Sequence, residues 1–367
     1  MKVLILTPYP PDEAPSQRFR FELFFKHLDK NQLTLESQSF ISPQAWKALY
    51  AEKKTGSKFR SVINGFLRRT ISLFKISNYD FIFIHRELTP VGPPIFEWFI
   101  AKALKKKIIY DFDDAIWLPD QNRESTVWRW LKWRSKIASI CKWSWKVSVG
   151  NAYLADFASE YNENVVVIPT VVDTEVHFKE VRNQSDYVKT PSDKKSEVRR
   201  LIIGWTGSHS TLQYLDMILP SLQKLEEEID FTFRVIANKD PQLPLKNYSF
   251  LPWNKETEIE DLATIDIGVM PLPDDEWAKG KCGFKLIQYL ALEIPAVASP
   301  VGVNTDIIQH GQTGFLANSP EEWTASLKTL LQDPSLSAEM GKKGRALIKE
   351  KYSAQSQKDA FLGLFET

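Results

Sequence analysis

Cysteine is scarce: Cys141 and Cys282 are the only two in 367 residues and lie in segments of different character. That excludes a disulfide framework and points to a reducing compartment. Long apolar runs are also missing, none approaching the roughly 20 residues a bilayer-spanning helix needs. The opening MKVLILTPYPPDEAPSQRFR has a short apolar run that gives way to proline and charge, so it reads as a first strand and not a signal peptide. The expected location is cytoplasmic or on the surface of a membrane. No G-x-G-x-x-G follows that strand, which argues against a nicotinamide oxidoreductase.

What is present is an ordinary globular composition, 43% apolar and 25% charged, long enough for two domains with sizeable cores. The net charge of +1 hides an asymmetry. Residues 1–170 hold 25 Lys and Arg against 17 Asp and Glu, and residues 171–367 hold 22 against 29. The first half is the basic one.

Short β-branched or aromatic runs alternate with helical patterns, which predicts α/β units around parallel sheets. Strands are expected at Val3–Thr7, Phe81–His85, Ile108–Phe112, Val147–Val149 and Val165–Ile168, then at Leu201–Trp205, Phe231–Ile236, Ile265–Met270 and Ala296–Ala298. Helices are expected at Arg18–Leu28, Pro94–Leu104, Thr126–Cys141 and Ala152–Tyr161. Between the halves, residues 179–200 are polar and read as a linker.

Lys281–Ala317 carries the most chemistry. Gly283 and the cations Lys281 and Lys285 open an amphipathic helix, whose N-terminal N–H groups suit a phosphate or diphosphate. Lysines at a helix end are ordinarily just solvated, yet here they oppose the helix dipole, which favours a compensating anion. The turn Gly204–Ser208 is either a second phosphate loop, through Gly207 and Ser208, or a strand-to-helix turn capped by Ser208 or Ser210. Asp111, Asp113 and Asp114 end a strand, where residues of a parallel sheet face the ligand crevice. Asp113 is the first choice for a site role; Mg²⁺ binding and plain N-capping compete. Arg18 and Ser16 follow the proline-rich, glycine-free loop Pro8–Gln17, and Arg86 sits at another sheet edge. The bland alternative makes Arg18 and Arg20 surface residues of an amphipathic helix.

The order of GWTGS (Gly204–Ser208), DIGVMPL (Asp266–Leu272), GFKLIQYLALEIPAVAS (Gly283–Ser299) and Gly311–Leu316 resembles the donor domain of retaining glycosyltransferase family 4. Ile168–Thr174 is similar to that family's interdomain segment, and SQRFR (Ser16–Arg20) and YDFDDAIW (Tyr110–Trp117) resemble a subgroup acting in bacterial surface-polysaccharide assembly. The resemblance implies a GT-B fold, two Rossmann-like domains with parallel sheets facing a central cleft. Its expected divisions are an acceptor domain at 1–170, an interdomain segment and loop at 171–200, a donor domain at 201–350 and a returning C-terminal helix at 351–367.

The implied activity is transfer of a sugar from a nucleoside-diphosphate sugar to a saccharide or polyprenyl-linked acceptor, with retained configuration and no metal or other cofactor. The implied donor-binding set is Gly207, Ser208, Lys281, Gly283, Phe284, Lys285 and Gln288; the catalytic set is Asp113 with Lys285; Ser16, Arg18 and Arg86 fall on the acceptor or phosphate side. Two family glutamates eight positions apart correspond here to Gly280 and Gln288. Their absence motivates a second reading, a nucleotide-sugar-binding relative without turnover.

Five of the twelve tryptophans fall within Trp128–Trp145, interleaved with Arg129, Lys132, Arg134, Lys136, Lys142 and Lys146. With Lys58–Lys75, this composition suits an anionic membrane surface, although Trp130, Trp133 and Ile137 also sit at core spacing. Nucleic acid is not expected, since no such motif is visible and the second half is acidic.

Overall fold

The computed structural model describes residues 1–28, 33–51, 55–119, 125–178 and 200–366, without the side chains of 49–51 and 55–58. Almost all of the expected linker therefore lies outside the described residues. The chain divides into two compact units, Met1–Val171 with Lys279–Cys282 and Ala354–Thr367, and Val172–Ala278 with Gly283–Ser353.

The first unit is built on a six-stranded, all-parallel sheet in the order β2-β1-β3-β4-β5-β6. The strands are β1 (Lys2–Thr7), β2 (Thr34–Ser39), β3 (Phe81–His85), β4 (Lys107–Phe112), β5 (Lys146–Val149) and β6 (Val165–Val167). Central strands covered on both faces must be apolar throughout, and Val3–Leu6 and Phe81–Ile84 are accordingly buried. Strand order reverses between β1 and β3, so the crevice expected at the carboxyl ends lies between the loops that follow them. The C-terminal helix Ala354–Leu362 belongs to this unit: Phe361 stacks on Phe24 with ring centroids 4.6 Å apart. Lys146 Nζ donates to the carbonyls of Gly363 at 2.6 Å and Glu366 at 3.1 Å, capping the chain end.

The second unit carries another six-stranded parallel sheet, β12-β11-β10-β7-β8-β9. Its strands are β7 (Leu201–Gly207), β8 (Phe231–Ala237), β9 (Tyr248–Pro252), β10 (Ile267–Met270), β11 (Ala296–Ala298) and β12 (Gly314–Leu316). The reversal falls between β7 and β10. Ser319 and Glu322 form a reciprocal capping box that starts the helix Pro320–Gln332, whose Trp323, Leu327 and Leu330 close the core over Trp205, Phe233 and Val269.

Several helices are shorter than their patterns predict. Arg18–Leu28 resolves into a turn of helix at Pro15–Arg18 and a 3₁₀ segment at Glu22–His27. Thr126–Cys141 breaks into Thr126–Leu131 and Lys136–Trp143, with Trp133 between them at φ 48°. The expected helix after the Gly207 turn is a 3₁₀ segment, Leu212–Met217, followed by Leu219–Leu225.

The long helix Pro334–Lys351 packs closely because it carries glycine at contact points. A Cβ on Gly341 would stand 2.0 Å from the carbonyl oxygen of Glu293, whereas one on Gly363 would meet nothing within 4 Å. Gly341→Ala is therefore expected to destabilise by about 1 to 2 kcal/mol despite the better helix propensity of alanine. Gly363→Ala should change stability by less than about 0.5 kcal/mol; chemical unfolding midpoints of the two variants check the contrast.

Candidate functional site

In the first unit the carboxyl ends of β3, β4 and β5 converge on one buried carboxylate. Asp111 Oδ1 accepts from Arg20 Nη2 at 2.5 Å and from Ser148 Oγ at 2.8 Å, and Oδ2 lies 2.8 Å from His85 Nδ1. Arg20 also donates to the carbonyl of Ile168 and, at 3.3 Å, to Ser148 Oγ. Burial by itself would raise the Asp111 carboxyl, but the Arg20 guanidinium and the His85 hydrogen bond hold it well below the usual carboxylate range. Arg20, expected on the surface in the amphipathic-helix alternative, is thus a core cation, the helix being too short to turn it outward.

One step beyond this network the groups become accessible. Arg86, directly after β3, has φ 60°, a conformation that L side chains rarely adopt. Its backbone is held there: Arg86 N donates to the Asp111 carbonyl at 2.7 Å, and Tyr110 Oη donates to the Arg86 carbonyl at 2.6 Å. From that position Nε donates to Asp113 Oδ1 and Nη2 to Asp114 Oδ2, each at 2.7 Å. Burial opposes the Arg86 charge, yet the two carboxylates raise its pKa above the ordinary arginine value. Lys281 Nζ stands 4.0 Å from Asp114 Oδ1. Cys282 Sγ donates to the Asp113 carbonyl at 3.1 Å, and Asn151 Nδ2 to the Lys281 carbonyl at 3.0 Å. Gly280 is required here, since a Cβ would lie 2.6 Å from that of Ala115.

The proline-rich loop after β1 gets its shape from a side chain. Gln17 is fully buried; it accepts from Tyr9 N at 3.0 Å and donates to the Tyr9 carbonyl at 3.1 Å and the Pro10 carbonyl at 3.3 Å. Ser16 is half-buried on the same short helix. Arg18 turns towards Asp12, 3.5 Å away, and lies over the Phe19 ring.

In the second unit Gly283, at φ 65°, is the N-cap of the helix Phe284–Ala291. A Cβ there would clash with Ile307 at 2.2 Å, so glycine is required on two counts. Phe284 and Lys285 form the first turn, both half-buried. Lys285 Nζ lies 5.4 Å from the centroid of the Trp205 ring on β7. Tyr289 on the same helix accepts through Oη from Thr206 N at 3.0 Å, bracing the helix against the strand that ends in Gly207. Ser208 does not cap a helix: its Oγ is 2.6 Å from Ser210 Oγ, and the neighbouring His209 N donates to Asn238 Oδ1 at 2.7 Å. Gln288 is buried and donates to Glu258 Oε1 at 3.3 Å, an acceptor that Trp253 Nε1 also reaches at 3.4 Å.

The expected residues therefore fall into two groups, each at the strand ends of its own unit. Arg86, Asp113 and Lys281 come together in the first, with Ser16 and Arg18 on the β1 loop. Gly207, Ser208, Gly283, Phe284, Lys285 and Gln288 lie in the second. Arg20, Ser148 and Glu258 escaped sequence reasoning as site groups; His85 was expected at the sheet edge beside Arg86, and the structure sets it opposite Asp111 in the neighbouring strand.

Residues 200–333 match the family model Glycosyl transferases group 1. Over 75 residues the chain is 32% identical to human alpha-1,3/1,6-mannosyltransferase ALG2, a stretch covering 20% of this chain and 18% of that protein's length. Similar folds extend over the whole chain. Sucrose-phosphate synthase from Thermosynechococcus elongatus superposes with a TM-score of 0.69 at 12% identity, covering 100% of this chain and 98% of the other. Anabaena Alr3699/HepE, solved in complex with UDP-glucose, gives 0.66 at 14% identity and 99% of both chains. A glycosyltransferase from Rickettsia africae gives 0.68 at 14%, covering 100% and 98%. The fold is GT-B, with two Rossmann-like domains and a glycosyl transferases group 1 domain in the second half.

Removing the carboxylate charge from the buried network leaves Arg20 uncompensated. Asp111→Asn is expected to lower stability at neutral pH by about 3 kcal/mol. A depressed folded-state pKa contributes stability that is fully present above the unfolded value of about 3.9 and fades as pH falls towards the folded one. The wild-type advantage in thermal unfolding should accordingly stay constant from neutrality to mildly acidic pH and shrink only under strongly acidic conditions.

Proposed function

We propose that this protein is a glycosyltransferase that moves a sugar from a nucleoside-diphosphate sugar to a saccharide or polyprenyl-linked acceptor. The observation that carries the reading is the glycosyl transferases group 1 domain at 200–333, set in a fold shared along the chain with a protein solved with UDP-glucose. In finer terms we propose membership of retaining family 4, a hexosyl donor, a role in surface-polysaccharide assembly and a place at the inner face of the membrane.

On this reading the donor diphosphate sits at the N-terminus of Phe284–Ala291, where the N–H groups of the first turn and the Lys285 ammonium meet the charge that grows on the leaving group. The glycine at the cap lets the backbone approach the phosphates. The anomeric C–O bond to the diphosphate breaks as the acceptor oxygen bonds to the same carbon, and the acceptor proton passes to the departing diphosphate. Asp113, fixed by Arg86, orients the acceptor hydroxyl or offsets positive character at the anomeric carbon. Side-chain cations take the place of a metal ion beside the diphosphate, so chelators are expected to leave transfer intact.

A second reading, a nucleotide-sugar binder without turnover, is motivated by the missing glutamates, replaced here by Gly280 and Gln288. A panel of UDP-, GDP- and ADP-sugars separates the two: binding without hydrolysis or transfer would support the binder.

Lys285→Ala should weaken free-nucleotide binding by about tenfold or more, as for a lost charge-assisted contact, read by thermal shift with UDP, GDP and ADP. Unchanged affinity would remove Lys285 from the donor site. Asp113→Asn should lower kcat by about a hundredfold with nucleotide affinity retained, measured by donor turnover.

A further inference from the structure

The helix Thr55–Leu73 is built inside out. Its buried side carries Gly65, Arg69 and Ser72. The Arg69 guanidinium donates to the carbonyls of Leu88 and Gln38 at 3.1 Å and of Thr7 at 2.6 Å. Burial draws Arg69 down to about 9, which still leaves it cationic at neutral pH. The outward side bears Phe59, Ile63, Leu67 and Ile71 at four-residue spacing, with Phe74 just beyond, all between 45% and 83% exposed. Residues four apart share one face, so this is a continuous apolar stripe turned away from the core.

The stripe is part of a wider face. Phe66 packs on Phe96 at 6.2 Å between centroids, joining it to the helix Ile95–Trp98, where Ile95, Trp98 and the following Phe99 are exposed. Gly92 N donates to the Leu131 carbonyl at 2.8 Å, tying in Thr126–Leu131. There Trp128 and Trp130 are exposed, followed by Trp133, which corrects the core placement that the spacing of Trp130 and Trp133 allowed; only Ile137 is core. Arg60, Lys75, Lys102 and Arg129 stand exposed among these residues. No Asp or Glu occurs in 55–79 or 125–155. Beside the stripe a cavity of about 250 Å³ is lined by Phe40, Ser61, Asn64, Leu67, Arg68 and Ile71, walls of mixed polar and apolar character with a cation among them.

We infer that this face docks onto an anionic phospholipid bilayer, a partner that deepens the membrane location proposed above and rests on that reading. Apolar side chains and tryptophans at headgroup depth, flanked by exposed cations and with Glu97, the acid of the helix Ile95–Trp98, buried, are complementary to such a surface. Two copies meeting through this face would bring like charges together, which disfavours self-association.

The test is sedimentation of the full chain with vesicles of phosphatidylcholine alone and of phosphatidylcholine mixed equally with phosphatidylglycerol. The protein should sediment with the mixed vesicles, less so at high salt. A variant carrying Ile63→Ser, Leu67→Ser, Ile71→Ser and Phe74→Ser should lose about tenfold or more of that partitioning. These side chains are exposed, so its melting temperature and UDP affinity should match the parent. Equal partitioning of parent and variant, or no partitioning of the parent, overturns the proposal. So does a concentration-dependent dimer that the variant abolishes, which would make the face an interface between copies. UDP binding in the same preparations tests the transferase reading separately, since it needs no vesicle.

Discussion

The buried Asp111 carboxylate is the point on which the first unit's functional edge depends. A bare carboxylate at that depth would cost several kcal/mol in desolvation. It is tolerated because Arg20, His85 and Ser148 meet its two oxygens from three directions. Those partners come from the turn after the first helix, β3 and β5, and Arg20 continues to the Ile168 carbonyl beyond β6. One charge thus sets the relative positions of four chain segments that hydrogen bonding within the sheet alone would leave free to slide at their ends.

That fixation matters for the next residues along each strand. Arg86 follows His85 and is bonded through its backbone to the strand of Asp111; Asp113 lies two residues after Asp111. The left-handed backbone of Arg86 costs of order 1 to 3 kcal/mol and persists because Asp111 and Tyr110 hold the flanking atoms. The strain aims a forked guanidinium at both Asp113 and Asp114, producing a rigid, half-exposed ion cluster in which the carboxylates cannot swing independently. Rigid charges positioned before a substrate arrives are what a polar transition state needs.

The two α/β units were legible in the sequence because the central strands are buried on both faces and therefore read as apolar runs, while the GT-B expectation came from the motif resemblance. All nine expected strands are present, within one or two residues of their predicted ends. The three unforeseen ones, β2, β9 and β12, are all sheet edges, where one side faces away from the core. TLESQS in β2 has no apolar periodicity to find. Helix ends were harder, because Trp133 and the residues around it break a pattern that is amphipathic throughout. The site was half legible. Strand-end aspartates, glycines and lysines announced themselves by type and place. Arg20 and Glu258 did not, since a charged side chain reads as surface until its buried partner is known.

Glu258 changes what the missing glutamates mean. Gln288 carries no charge, yet Glu258 Oε1 lies 3.3 Å from its amide and 3.4 Å from the Trp253 indole nitrogen. The negative charge absent from the helix Phe284–Ala291 is thus present on a neighbouring helix and relayed to position 288 as a hydrogen bond. The amide nitrogen being committed to the carboxylate, the Gln288 oxygen is oriented as an acceptor, the role a glutamate would have filled towards a hydroxyl. An acceptor is kept, so on the proposed reading the replacement is compatible with a working donor site instead of requiring its loss.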